Sequence, residues 1–289
     1  MSTSSPLALV TGATSGIGEV TARDLARYGY RVVLLARNAE KAEATRSAIA
    51  RVAGPNRAEV LLCDLSDLAD VRRAATEFQS RYTQLDLLIN NAGLLFGQPR
   101  QLSAQGLEMT LATNHLGHFL LTSLLFDQLR QSPAARIINV ASMAYTMAKP
   151  RFDDLNQERG YSPMQQYGNT KLYNILFTQE LARRLRAEHV PNIITHSLHP
   201  GVVATGFGSQ SGGWLSLGVK LMRPFLLSAE QGAATTLFLA LDPQVANSSG
   251  GFFAKKKAVP VKSSFTTPEN ARRLWEESER LVGQGFSLS

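Results

Sequence analysis

The stretch from Leu7 to Gly18 constrains this chain more than any other. Leu7-Ala8-Leu9-Val10 is a short apolar run, the composition of a parallel strand buried on both faces. It leads without a spacer into Thr11-Gly12-Ala13-Thr14-Ser15-Gly16-Ile17-Gly18, and a helical pattern follows from Val20 to about Arg27, stopped at Gly29. A strand feeding a glycine loop and then a helix brings backbone N–H groups and the positive end of a helix dipole to one point, an environment suited to a pyrophosphate. Gly12, Gly16 and Gly18 are the candidate cradle, with Ser15 and Ile17 between them. Their spacing departs from the common G-x-G-x-x-G fingerprint. The alternative for the same residues is a plain glycine-rich turn.

The rest of the chain repeats the strand-and-helix alternation. Strands are expected at Arg31–Ala36, Ala58–Cys63, Leu85–Ile89, Ala135–Val140, Ile193–Leu198 and Gly251–Ala254. Helices are expected at Glu40–Val52, Asp67–Tyr82, Leu107–Leu129, Glu230–Leu241 and Pro268–Leu281, with a long one opened by Tyr167. This order predicts a doubly wound α/β parallel sheet of about seven strands, of the Rossmann type, with helices on both faces. No break in composition divides residues 1–289, so one nucleotide-binding domain is expected. Ligands of such sheets bind beyond the carboxyl ends of the strands. That singles out Asp64-Leu65, Asn90-Asn91-Ala92-Gly93, Ser142 and His199-Pro200-Gly201. At the end of the second strand an acidic residue would hold a ribose 2′-hydroxyl; here Arg37 stands instead, and a guanidinium suits a 2′-phosphate. NADP(H) is therefore expected over NAD(H), the alternative being a surface arginine at the start of a loop.

Tyr167-Gly168-Asn169-Thr170-Lys171 supplies the candidate chemistry. Residues four apart share a helix face, so Tyr167 and Lys171 point the same way. A phenol titrates near 10, and a cation one turn away favours the phenolate, giving a tuned general acid/base. Such a pair also occurs on ordinary solvated helix faces. His115 and His118 are three apart, yet no carboxylate or cysteine cluster accompanies them, and no metal site is expected.

Charge and composition narrow the class. The net charge of +7 is scattered, and Lys255-Lys256-Lys257 is too short for a nucleic-acid groove, so no nucleic-acid partner is expected. No apolar run reaches the roughly 18 residues that span a bilayer, and Met1–Pro6 has no signal-peptide character. The one cysteine, Cys63, fits a reducing, cytoplasmic setting.

Taken in order, Thr11-Gly12-x-x-x-Gly16-x-Gly18, Asp64, Asn90-Asn91-Ala92-Gly93, Asn114, Ser142, Tyr167-x-x-x-Lys171 and Pro200-Gly201 resemble the short-chain dehydrogenase/reductases over nearly the whole chain. Within that family, Asn139-Val140-Ala141-Ser142 and the run from Leu172 to Ala182 look like the retinol dehydrogenase and WW-domain oxidoreductase branch, with protochlorophyllide reductases more distant. The resemblance implies an oxidoreductase that interconverts a carbonyl and an alcohol. Tyr167 would be the acid/base, Lys171 would lower its pKa and bind the nicotinamide ribose, Ser142 would hold the reacting oxygen, and Asn114 would help hold a water. Gly12, Gly16 and Gly18 would line the pyrophosphate, Asp64 the adenine, Asn91 the adenosine ribose, and Pro200-Gly201 with Thr205 the nicotinamide. Ser15, Ile17, Leu65, Ala92, Gly93 and Val203 complete the implied cofactor contacts. The interval from Ser142 to Tyr167 is longer than most of the family has, with extra residues from about Tyr145 to Pro163, and the retinol dehydrogenase branch carries a comparable insertion. Many relatives pair through the helices around Asn114 and Tyr167, so a homodimer is one expectation.

The segment from about 205 to 228 carries Trp214, Leu215, Leu217, Val219, Leu221, Met222, Phe225, Leu226 and Leu227. The family uses it to cover the substrate, which points to a lipophilic carbonyl or alcohol. Core packing and a membrane-surface contact helped by Lys220 and Arg223 are the other readings. A non-catalytic NADP(H)-sensing or scaffold protein on the same fold is the rival function; such proteins typically lose the Tyr or the Lys, and both stand here.

Overall fold

A computed structural model describes residues 5–202 and 227–288. Their strands form one eight-stranded sheet in the order β3-β2-β1-β4-β5-β6-β7-β8. The strands are β1 (Leu7–Thr11), β2 (Arg31–Ala36), β3 (Ala58–Leu62), β4 (Leu87–Asn90), β5 (Ala135–Val140), β6 (Ile193–His199), β7 (Phe252–Ala254) and β8 (Lys257–Ala258). Every pairing from β3 to β7 is parallel, and only β8 returns antiparallel, on β7. β8 is the strand beyond the seven expected. It is two residues long, and Lys255 and Lys256 take positive φ to turn the chain into it.

The chain reverses its winding at β1, which pairs with β2 on one side and β4 on the other, so a crevice opens at the carboxyl ends of β1 and β4. Alternation within β1 explains the two layers of helix. Leu7 and Leu9 enter one apolar cluster and Ala8 and Val10 the other, because successive strand side chains point to opposite faces. On the Ala8 and Val10 face lie α1 (Gly16–Arg27), α2 (Ala39–Ala53) and α8 (Ala229–Leu241). On the Leu7 and Leu9 face lie α3 (Leu68–Arg81), α5 (Gly117–Leu124), α7 (Pro163–Ala187) and α9 (Pro268–Val282).

Local chemistry sets the helix ends. Asn38 accepts from Lys41 N, Asp67 from Ala69 N, and Ser228 with Gln231 forms a reciprocal capping box. Pro163 opens α7 at a position where no N–H is needed, and Gly283 closes α9 in the left-handed region.

The long helix expected from Leu107 to Leu129 is instead four pieces. α4 (Met109–Leu111) passes into a π-helical turn (Ala112–Leu116), then α5, and after Leu125 into α6 (Phe126–Arg130). The π turn admits one extra residue per turn and carries Asn114, the kind of place such turns are often found. α1 begins at Gly16, earlier than the apolar pattern shows, since the glycine loop itself supplies the first turn.

Candidate active site

The glycine loop is built by two left-handed residues, Gly12 at φ 64° and Gly16 at φ 52°. Gly18 faces back onto the loop so closely that a Cβ there would lie 2.2 Å from Gly12 O and 2.5 Å from Asn91 Nδ2. Ser15 is the N-cap of α1 and makes no side-chain capping bond. The cradle predicted from Gly12, Ser15, Gly16, Ile17 and Gly18 is therefore open main chain at a helix N-terminus, in the crevice at the switch point. Those residues fit a dinucleotide pyrophosphate.

Thr11 locks this loop to the end of β4. Its hydroxyl accepts from Asn91 N and Ala92 N, both at 2.9 Å, and Asn91 Nδ2 donates to Thr11 O at 2.9 Å. With its lone pairs used, the Thr11 hydroxyl donates to His118 Nε2 at 2.9 Å, and His118 Nδ1 donates to Asn114 O at 3.2 Å. His118 is thus neutral and structural, and burial pushes its pKa down to about 3. His115 points elsewhere, to Asn174 and Ser278. The two rings do not converge, and among the described residues no group of His, Cys, Asp and Glu could hold a metal.

Arg37 follows the end of β2 and Asp64 the end of β3, as predicted. They form a loose ion pair, 3.6 Å apart, with the Arg37 side chain 53 % exposed. Asp64 is otherwise engaged by Ser66, whose N–H and hydroxyl donate to Oδ1, and Leu65 is buried beside it.

The proposed chemical groups meet where the end of β5, the π turn and α7 come together. Ser142 follows β5 and caps a 3-10 turn, Met143–Met147. That turn sits against the first turns of α7, where Gly168 is needed because a Cβ would lie 2.8 Å from Ala144 O. This contact brings the Ser142 hydroxyl into hydrogen bond with Tyr167. Lys171 is buried at 3 % exposure; its Nζ donates to Val140 O at 3.3 Å and lies 5.4 Å from the centroid of the Tyr167 ring. Gly93 separates it from Asn114: a Cβ on Gly93 would meet Lys171 Nζ at 3.0 Å and Asn114 Oδ1 at 3.7 Å. Asn114 holds the β4 loop, accepting from Leu94 N at 2.8 Å and donating to Leu94 O at 2.9 Å and to Thr170 Oγ1 at 3.2 Å.

Sequence reasoning has Lys171 lowering the Tyr167 pKa; burial, which the sequence does not show, pushes the phenol up to about 12, opposed by the Ser142 hydrogen bond. Desolvation also pushes Lys171 down, to about 8. Sequence reasoning also missed Thr11, His118, Thr170 and Asn174 as the polar frame of the site. Only Thr11, placed directly before Gly12, offered a signal.

Pro200 and Gly201 lie just beyond β6, and Gly201 has φ 93°. Val203, Thr205 and the apolar segment lie outside the described residues, apart from Leu227, whose N–H donates to Val202 O at 2.9 Å, and Ser228. No helix among the described residues is long and apolar enough to cross a membrane.

Residues 6–215 match the short chain dehydrogenase family. Human retinol dehydrogenase 12 is 40% identical over 275 residues, covering 95% of this chain and 85% of that protein. Among solved structures, an uncharacterized protein from Mycobacterium Paratuberculosis is 35% identical and superposes with a TM-score of 0.77 over 98% of this chain and 95% of its own. An actinorhodin polyketide ketoreductase solved with NADPH is 25% identical, with a TM-score of 0.67 over 88% of this chain and 97% of its own. A 3-ketoacyl-(acyl-carrier-protein) reductase from Brucella melitensis, complexed with NADH, is also 25% identical, with a TM-score of 0.64 over 86% of this chain and 95% of its own.

Proposed function

This chain belongs to the short-chain dehydrogenase family, a carbonyl/alcohol oxidoreductase that uses a nicotinamide cofactor, and on that premise we propose that it reduces a lipophilic aldehyde or ketone with NADPH. The observation that carries the reading is the meeting of Ser142, Tyr167 and Lys171 beside a glycine cradle that a Cβ would fill. When bound, the nicotinamide supplies or accepts the hydride. The protein's own groups do the rest. Ser142 holds the substrate oxygen, Tyr167 gives it a proton in reduction and takes it back in oxidation, and Lys171 supports the tyrosine from below. Burial keeps the Tyr167 phenol protonated, the form that gives its proton in reduction.

NADP(H) preference rests on Arg37, an exposed guanidinium at the end of β2 whose loose pairing with Asp64 leaves it free to take a 2′-phosphate. A lipophilic substrate agrees with the exposed Met143, Met147, Met164 and Val202, which flank Ser142, Tyr167 and Gly201, and with a relative named for retinol. The lid assigned to residues 205–228 belongs to the same reading. A reducing, cytoplasmic setting belongs to the same reading, with Cys63 a free thiol. The test is NADPH oxidation over a panel of aldehydes and ketones of rising apolar size. Tyr167→Phe should lower turnover by roughly 10²-fold or more while NADPH still binds, and Arg37→Glu should weaken NADPH by roughly tenfold or more with NADH little affected. Turnover unchanged in Tyr167→Phe removes the acid/base assignment.

A further inference from the structure

The Lys171 ammonium shares its anchor. Val140 O accepts Lys171 Nζ at 3.3 Å and also the side-chain amide of Asn174 at 3.2 Å. The other end of that amide, Asn174 Oδ1, faces His115 Nδ1 at 3.3 Å, and His115 Nε2 lies 3.0 Å from the Ser278 hydroxyl on α9. Ser278 Oγ is also 2.7 Å from Leu274 O. All four side chains are buried. Buried polar groups must settle their donor and acceptor roles among themselves. A carbonyl only accepts, so Asn174 turns its nitrogen to Val140 and its oxygen to His115. His115 must then carry its proton on Nδ1. Burial keeps a second proton off the ring, pushing its pKa down to about 4. Nε2 is left as a lone pair that needs the Ser278 hydroxyl, in competition with Leu274 O.

We propose that Asn174 and His115, with Ser278 behind them, are positioning residues that aim the Lys171 ammonium by fixing the Val140 carbonyl, and so tie the C-terminal helix to the acid/base pair. The proposal rests on the role given to Lys171 above. Donors run from His115 Nδ1–H to Asn174 Oδ1 and from Asn174 N–H to Val140 O, while the Ser278 hydroxyl, which donates to Leu274 O at 2.7 Å, stands 3.0 Å from His115 Nε2. The amide occupies one lone pair of that oxygen and leaves Lys171 on the other.

Position 115 separates the two ring nitrogens. An asparagine there supplies a donor in place of Nδ1, whereas a glutamine reaches the place of Nε2. We expect His115→Asn to keep kcat within about threefold, and His115→Gln and Asn174→Leu to lose about tenfold or more in kcat with substrate KM little changed. NADPH affinity, read by fluorescence, should weaken in Asn174→Leu. In protein labelled with 15N-histidine, His115 should show a protonated Nδ1 and a bare Nε2, its signals identified by their loss in His115→Gln. An Nε2–H tautomer overturns the proposal whatever the activity. So does Asn174→Leu with kcat and NADPH affinity unaltered, or His115→Asn as impaired as His115→Gln, which would assign the loss to packing. If no carbonyl is turned over, the reaction assigned above fails, while the tautomer and the NADPH affinity of Asn174→Leu still decide this inference.

Discussion

Two glycines in the site differ in what a methyl group would strike. At Gly93 the new carbon meets the far end of the Lys171 side chain, which can move. Gly93→Ala should therefore leave thermal stability within about 1 kcal/mol of the parent and still lower turnover, because the ammonium is displaced from beneath Tyr167. At Gly18 it meets the Gly12 carbonyl, which cannot move without the loop. Gly18→Ala should cost on the order of 2–4 kcal/mol in a thermal melt and remove nucleotide binding. Lys171 makes a further prediction with a definite sign. Its pKa falls from 10.5 to about 8 on folding, so between those values the unfolded chain holds more protons and stability rises with pH. Below that window the charged lysine is a burden. Lys171→Met should thus melt higher at pH 7, by on the order of 1–3 kcal/mol, and have no turnover. At this scale much was legible in the sequence. Gly12, Gly16 and Gly18 declare themselves because only glycine permits such close backbone approach, and Tyr167 and Lys171 because four residues make one helical turn. The rise of the Tyr167 pKa on burial was not legible, since burial depends on what packs above it.

Among the elements, the π turn at Ala112–Leu116 shows where a linear pattern runs out. One extra residue in a turn barely disturbs an apolar stripe, yet it sends His115 and His118 in different directions, one to α7 and α9, the other to β1. Spacing alone gave no metal site there, and no other role for either ring. Folded, each is a neutral ring at the centre of a hydrogen-bonded frame, with pKa values pushed from 6.5 to about 4 and about 3. As pH falls below 6.5 the unfolded chain takes up protons that the folded one refuses, so stability is complete above 6.5 and declines on acidification. Each ring should account for roughly 2 kcal/mol lost by pH 5, and the pH slope of the urea midpoint should be shallower in His118→Gln than in the parent. α9 was visible as a helix, but its docking was not. Trp275 stacks among Phe119, Phe177 and Phe286 with ring centroids 5.2, 5.7 and 4.9 Å away, and Arg184 lies 4.4 Å over it. Trp275→Ala should cost about 3–5 kcal/mol in chemical denaturation and loosen the Ser278 end of the polar chain.

For the whole molecule, the placement of α9 bears on assembly. The sequence allows a homodimer through the helices around Asn114 and Tyr167, but Trp275 and Phe286 cover α5 and α7 from outside. We expect sedimentation at micromolar concentration to give a monomer of 31.5 kDa; a dimer that vanishes on a charge substitution in the outer face of α5 or α7 would contradict this. The two-residue strand β8 has its own consequence for the chain in crowded solution. A parallel sheet that stopped at β7 would offer a bare row of amides and carbonyls to any passing strand. Lys257 and Ala258 pair over that row with Lys255 and Lys256 at the turn, and a short edge bristling with ammonium groups is a poor template for another copy. Neutralising those three lysines should leave the fold and the chemistry alone, and turn a dispersed protein into one that clouds when concentrated.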